Sequence, residues 1–460
     1  MRHGITRREA VHRLATAGAA LALPAVSRAQ PPRPNVVVIL VDDLRWDAFS
    51  HLGHPFLQTP HIDRLAREGA RFENAFVVIS LCSPSRACFL TGCHPQRTGV
   101  FGNEAQELDP RVPTYPQVLQ SAGYETGYIG KWHMVPNAAP RPGFDYWLSF
   151  SGQGVYENPE LNENGQGFRQ EGYLTDILTD RATAWVRRER TRPFCLCLAH
   201  KAVHGPFTPA ERHRGALAET ALPKPPSFDE DFADKPVWLR EQMVRGTRRE
   251  EWERNRDRPI PDKFPPAPWD AQRGRDYFRT LLAVDDSVGA VLRALEESGQ
   301  LDHTMVVFTS DNGYFQGEFR RGDKRLAYEA SIRIPLLVRY PPLVPPGAVV
   351  ASLALNVDLC PTLLDLCAAS APAMLAGRSL LPVLRQPDTT PAGWRQDFLY
   401  QYFQERAFIG IPDIQAVRTS RWKYIRAPRH AGSDELYDLA ADPHELNNLA
   451  REGDHAATLR

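Results

Sequence analysis

Residues 34–43 read Pro34-Asn35-Val36-Val37-Val38-Ile39-Leu40-Val41-Asp42-Asp43, a continuous β-branched run that ends on two adjacent carboxylates. A run with no polar alternation suits a strand buried on both faces of a parallel sheet. Further short apolar runs recur at 124–129, 194–199, 305–309 and 332–338, with helical patterns between them. The clearest of these patterns is Leu281, Val284, Val288, Val291 and Leu295, whose three-and-four spacing marks one face of a long helix. Alternating strands and helices predict an α/β fold with a large, mostly parallel sheet covered by helices on both faces. In such sheets the site gathers at the C-terminal ends of the strands.

Working outward, the texture changes near Asp397. Phe398-Leu399-Tyr400-Gln401-Tyr402-Phe403 and then residues 416–425, with a turn near Ser420, predict hairpin strands of a smaller C-terminal α+β domain. The expected domains are therefore a main domain over 30–390 and the smaller one over 391–460. Residues 205–269 are rich in Pro, Arg, Asp and Glu with little periodicity, and are expected to form an insertion over the site. At the N-terminus, Thr6-Arg7-Arg8-Glu9 precedes an apolar stretch from Leu14 to Val26 and the small-residue ending Ser27-Arg28-Ala29. Residues 1–29 read as a twin-arginine export signal cleaved near Ala29, so the expected location is periplasmic or secreted. The apolar stretch is too short for a membrane span, and no membrane anchoring is expected. A plain amphipathic helix is the alternative for this segment.

The 460-residue chain carries 55 basic and 55 acidic residues, a balance that points neither to nucleic acid nor to an anionic membrane. It leaves room for a small anion held by a local cluster of cations. Seven cysteines, an odd number, argue against a fully paired disulfide framework. Cys195 and Cys197 lie at strand spacing and Cys360 and Cys367 on a predicted helix, so both pairs read as core residues.

Chemistry concentrates in five places. Cys82-Ser83-Pro84-Ser85-Arg86-Ala87-Cys88-Phe89-Leu90-Thr91-Gly92 opens a helix with a cysteine and places an arginine one turn on. Asp42 and Asp43 end the first strand, where adjacent carboxylates repel unless a cation sits between them. Asp311-Asn312-Gly313 ends a later strand in the same manner. That all-oxygen donor set suits calcium or magnesium over zinc. Asp285-Asp286 is a second acidic pair, but it lies inside the long helical pattern and reads as a solvated face. Gly130-Lys131-Trp132-His133 supplies a fixed cation and a titratable base after another strand. Ala199-His200-Lys201-Ala202-Val203-His204-Gly205-Pro206 follows the next strand, and Gly322-Asp323-Lys324-Arg325 comes downstream of Asp311.

The CxPxR core at Cys82 with its Leu90-Thr91-Gly92 extension resembles the nucleophile signature of the type I sulfatases, members of the alkaline phosphatase superfamily. The other motifs follow in that family's order. One departure is Cys93, where the family usually has Arg. The resemblance implies that Cys82 is oxidised to formylglycine by a formylglycine-generating enzyme and acts as a hydrated aldehyde, one hydroxyl attacking sulfur and the other later collapsing to C=O. It implies a Ca²⁺ ion, with Mg²⁺ as second choice, bound by Asp42, Asp43, Asp311, Asn312 and the modified residue 82. It further implies that Arg86 orients residue 82 and Asp311 takes the proton of the attacking hydroxyl. Lys131 and Lys324 would neutralise sulfate oxygens, His204 with Lys324 would protonate the departing alcohol, and His133 would serve as base for collapse.

Residues 310–314 through 323–325, and Pro226-Ser227-Phe228-Asp229-Glu230 through Lys235-Pro236, are similar to the N-acetylglucosamine-6-sulfatase branch. Residues 435–449 are similar to the C-terminal subdomain of many carbohydrate sulfatases. The substrate so implied is a sulfated carbohydrate, first among them the 6-sulfate of N-acetylglucosamine. Two alternatives stand beside it. One is a formylglycine phosphodiesterase or phosphonate monoester hydrolase with the same site, since both substrate types carry one negative charge. The other is an exported glycan-binding pseudoenzyme whose Cys82 stays unconverted because Cys93 breaks the extended motif.

Overall fold

The computed structural model describes residues 33–104 and 106–451. The segment read as an export signal, 1–29, lies outside the described residues. Asn35–Val41 is a strand with every residue buried, and it pairs in parallel with Thr304–Ser310 on one side and Phe194–Ala199 on the other. Its alternate side chains feed two different cores. Val36, Val38 and Leu40 join the cluster on one face, and Val37, Ile39 and Val41 join the cluster on the other. Double-faced burial explains why the strand reads as unbroken apolar sequence.

Ten strands form the main sheet, in the order Ala348–Val350, Ala70–Phe72, Leu336–Arg339, Thr304–Ser310, Asn35–Val41, Phe194–Ala199, Glu125–Lys131, Tyr146–Phe150, Glu160–Glu163 and Gln166–Arg169. Thr304–Ser310 through Tyr146–Phe150 run parallel, as expected. Both flanks add antiparallel neighbours, so the whole sheet is mixed. One face is covered by helices that include Pro60–Glu68, Leu174–Val186 and Ala271–Glu297, and the other by Cys82–Thr91, Tyr115–Ser121 and Leu359–Leu366.

Two expectations need correction. The apolar run 332–338 is not one strand: Glu329–Ile332 is a helical turn, and the strand starts at Leu336, after Pro335, which has no N–H to give a ladder. It then runs antiparallel to Thr304–Ser310. The solvated-face reading of Asp285-Asp286 holds for Asp286, which pairs with Arg212 and His213 at the surface. It fails for Asp285, which is buried and accepts the backbone N–H groups of His61 (3.1 Å) and Ile62 (2.8 Å). Asp285 thus caps the N-terminus of the Pro60–Glu68 helix from a neighbouring helix, satisfying donors that Pro60 and its own turn cannot.

The C-terminal strands Asp397–Tyr402, Ile414–Thr419, Trp422–Arg426 and Glu435–Asp438 form an antiparallel meander. Its inner face, with Phe398, Tyr400, Ile414, Ala416 and Ile425, belongs to the same apolar cluster as one face of the main sheet. The segment 205–269 carries short helices and reaches across to these strands: Lys235 donates to Tyr437 and to the Glu445 and Leu446 carbonyls, and Gln242 donates to the Gly410 carbonyl. All seven cysteines are buried and none is in a disulfide.

Candidate active site

Sheet register brings the chemistry together. Val41 lies beside Ser310, Leu40 beside Ala199 and Ala199 beside Gly130, so the residues that follow these positions emerge at one edge. Gly130 is required there. Its φ is +120°, and a Cβ would stand 1.9 Å from the Ala199 carbonyl oxygen. Only a residue without a side chain lets the Lys131 strand pass its neighbour so closely.

Cys82 opens the helix Cys82–Thr91, in which every residue is buried, and Gly92 closes it in the left-handed conformation. Leu81 at the N-cap has no polar side chain to offer. The Ser83 N–H is instead taken by Asn103 Oδ1 at 3.0 Å. The Cys82 Sγ lies 3.5 Å from Asp42 Oδ1. Arg86, one turn along, points the same way: its Nε donates to Asp311 Oδ2 at 2.8 Å and its Nη1 to the Lys131 carbonyl at 2.6 Å. Lys131 pairs with Asp42 and donates to Gln153 Oε1 at 2.5 Å. Lys324 Nζ grips both oxygens of Asp43, at 2.6 and 2.8 Å.

The histidines flank this cluster. His204 Nε2 is 3.7 Å from Asp43 Oδ2, while its Nδ1 is 2.7 Å from the Gly205 carbonyl. A carbonyl can only accept, so Nδ1 carries hydrogen and Nε2 is the nitrogen that faces the acidic cluster. His133 sits at φ +66°, with its Nδ1 3.2 Å from the Ser83 hydroxyl, which donates to the His133 carbonyl at 2.6 Å. Cys82, Arg86, Lys131, His133, His204 and Lys324 therefore lie around the same carboxylates. His200 is turned away, onto Ser287 at 3.1 Å.

Burial and neighbours set the charges. Burial pushes the Cys82 thiol up to about 12, outweighing Lys131 and Lys324, so an unmodified thiol here stays protonated. Burial raises the Asp42 carboxyl, but Lys131, with His204 and Arg86, overcomes it and holds the group well below the usual range. Burial and then Asp42 push Asp311 up to about 7. Burial, then Lys131, keeps His133 below the ordinary histidine range, and burial, then Lys324, does the same to His204.

Oxygens of Asp42, Asp43 and Asp311 lie within 4.8 Å of one another. Asn312 completes the set: its amide nitrogen donates to Asp43 Oδ1 at 2.7 Å, and its buried Oδ1 makes no hydrogen bond among the described residues. Three buried carboxylates and an orphaned amide oxygen fit a hard divalent cation. The backbone holds them there, with Ser310 Oγ within 2.9 Å of the Val41 carbonyl and accepting from the Leu44 N–H.

Several contributors carry no legible motif. Gln153, Asn103, Tyr156, whose hydroxyl donates to the His204 carbonyl at 2.7 Å, and Glu405 sit in loops or at strand ends with no spacing to mark them. Lys201 is buried above the Tyr156 ring at 4.8 Å and was visible only as a neighbour of His204. Cys93 is buried, its Sγ facing the Thr91 and Met374 carbonyls, so the position is filled by packing. A cavity of about 660 Å³ that includes Trp46, His54, Trp269 and Arg333 in its lining is separate: none of the catalytic candidates lines it.

Comparison with known proteins identifies the family. Residues 34–369 match the Sulfatase family model, and 317–459 match the model described as N-sulphoglucosamine sulphohydrolase, C-terminal. An N-acetylglucosamine-6-O-sulfatase of Bacteroides thetaiotaomicron is 35% identical, over 92% of this chain and 84% of its own length. The N-acetylglucosamine-6-sulfatase of Capra hircus is 30% identical, over 92% of this chain and 81% of its own. A solved structure in complex with its substrate, D-glucosamine-2-N,6-O-disulfate, superposes with a TM-score of 0.82 at 34% identity, covering 93% of this chain and 95% of that one. A family match over most of the chain, and relatives at 35% and 30% identity that it covers over most of their length, show that the chain belongs to the sulfatase family and is a sulfuric ester hydrolase.

Proposed function

We propose that this enzyme removes sulfate from a sulfated sugar, with the 6-sulfate of N-acetylglucosamine as its first candidate substrate. The observation that carries the reading is the convergence of Arg86, Lys131 and Lys324, all buried, on the carboxylates beside Cys82. The names of the relatives at 35% and 30% identity support the choice of sugar. In this reading a formylglycine-generating enzyme converts Cys82, and Asp42, Asp43, Asp311, Asn312 and residue 82 hold Ca²⁺. When present, the hydrated aldehyde supplies a regenerable hydroxyl nucleophile and the ion supplies positive charge beside the sulfate oxygens.

The chain's own residues do the rest. Arg86 holds Asp311 and the Lys131 carbonyl, which fixes the helix that carries residue 82 against the strand ends. Lys131 and Lys324 offer ammonium groups to the non-bridging oxygens, in a pocket where burial strengthens their effect. His204 is held by Gly205 through Nδ1 and presents Nε2 for proton exchange with the departing sugar oxygen. His133, braced by Ser83, serves as the base. Export through the twin-arginine pathway, which carries folded proteins, suits a site that is modified and loaded before crossing the membrane.

The test is release of inorganic sulfate from N-acetylglucosamine-6-sulfate by protein co-expressed with a formylglycine-generating enzyme, run beside an aryl phosphodiester. Sulfate release with little phosphodiester turnover is the expected result. Faster phosphodiester turnover would move the enzyme to the phosphodiesterase alternative.

A further inference from the structure

Glu405, in the loop after the strand Asp397–Tyr402, is buried and belongs to no motif. Its carboxylate is nevertheless fully engaged by three parts of the chain. Oε2 pairs with Arg325 Nε at 2.7 Å and accepts the Tyr402 hydroxyl at 3.0 Å, and Oε1 accepts the Asn103 N–H at 3.2 Å. Asn103 is the residue whose side chain takes the orphan Ser83 N–H at the first turn of the Cys82 helix. Arg325 is the neighbour of Lys324, and it is held on its other sides by Asp323 at 2.6 Å and by the Phe408 ring at 3.8 Å, while Tyr400 donates to its carbonyl at 2.6 Å.

The backbone around Lys324 needs such support. Asp323 and Arg325 have φ of +99° and +86°, a region that side-chain-bearing residues enter only when their surroundings hold them there. One carboxylate from a loop of the C-terminal subdomain therefore braces both the Lys324 loop and the cap of the nucleophile helix.

We infer that Glu405 is a positioning residue that ties the C-terminal subdomain to the catalytic cluster, keeping Lys324 and residue 82 in register. The inference rests on the function proposed above, but part of its test does not. The experiment compares wild type, E405Q, R325M and the double variant as full-length enzyme. It reads kcat and KM on 4-nitrophenyl sulfate, normalised to the formylglycine content of each preparation measured by mass spectrometry, and native-state hydrogen exchange. E405Q is close in shape, so it keeps the packing while removing the charge. Expected are a roughly 10- to 100-fold fall in kcat with KM within about threefold, as supporting partners of a site typically give. The double variant should lose no more than the worse single one. Exchange should quicken in peptides spanning 82–91 and 322–328 and stay unchanged in the strand Asn35–Val41. A kcat for E405Q within about twofold of wild type, multiplicative losses in the double variant, or exchange that rises equally through the central strands would each overturn the inference. If wild type is inert on every sulfate ester, the proposed function falls, and the exchange pattern alone decides the role of Glu405.

Discussion

Asp285→Asn should stabilise the enzyme in a pH-dependent way. Burial pushes the Asp285 carboxyl from 3.8 up to about 7, despite the two N–H groups of His61 and Ile62 that it accepts. The folded value lies above the unfolded one, so between about pH 4 and 7 the native state holds a proton that the unfolded chain has released. Stability therefore falls as pH rises through that window, and the full cost is present above it. At about 1.4 kcal/mol per tenfold, the gap between the two values is on the order of 4 kcal/mol. The positive end of the Pro60–Glu68 helix favours the anion and offsets roughly 1 kcal/mol of this. Asn keeps an oxygen for both N–H groups and never ionises. Its advantage over Asp should be small at pH 4.5 and reach roughly 2–3 kcal/mol at pH 8. For a chain of this length that is about 2–3 °C in Tm, read by scanning calorimetry at a fixed scan rate. An advantage that does not change with pH, or an Asn variant less stable than wild type at pH 8, would refute the reasoning and show that the helix end outweighs burial.

His204→Ala should cost roughly 10²–10⁴ in kcat on a sugar sulfate, whose departing alcohol needs a proton, and no more than about tenfold on 4-nitrophenyl sulfate. Equal losses on both substrates would contradict the assignment of Nε2. Ca²⁺ at about a hundred times its Kd should raise stability by about 2.7 kcal/mol, close to 3 °C, and a chelator should reverse it. Asp311→Asn should abolish that shift in the same melting assay. Gly130→Ala drives a Cβ to 1.9 Å from the Ala199 carbonyl oxygen, so the Lys131 strand must move. Steady-state assays should then show activity down roughly 100-fold, as expected for a cation displaced by about 1 Å.

The central sheet was legible because its strands are buried on both faces, which leaves an unbroken apolar signature at 36–41, 194–199 and 305–309. Strand-end residues followed from that reading, and Asp42, Lys131, His204 and Asp311 emerge at one edge because the register aligns the strands. The flanking strand after Pro335 was overread, since apolar run length alone cannot separate a helical turn from a strand start. Asp285 was misread because periodicity places a residue on a helix but does not say which neighbouring helix end needs a cap. Glu405, Gln153, Asn103 and Tyr156 stayed invisible for a related reason. Each serves the site through contacts with residues distant in the chain, and nothing in local spacing records such contacts.

The most direct test joins residue 82 to the reaction. Protein from a host with a formylglycine-generating enzyme is digested, the peptide spanning residue 82 is weighed, and sulfate released from N-acetylglucosamine-6-sulfate is measured on the same preparation and on Cys82→Ala. The account predicts formylglycine at position 82, sulfate release in proportion to its content, and none from Cys82→Ala. Full conversion without sulfate release, or equal release from Cys82→Ala, would contradict it.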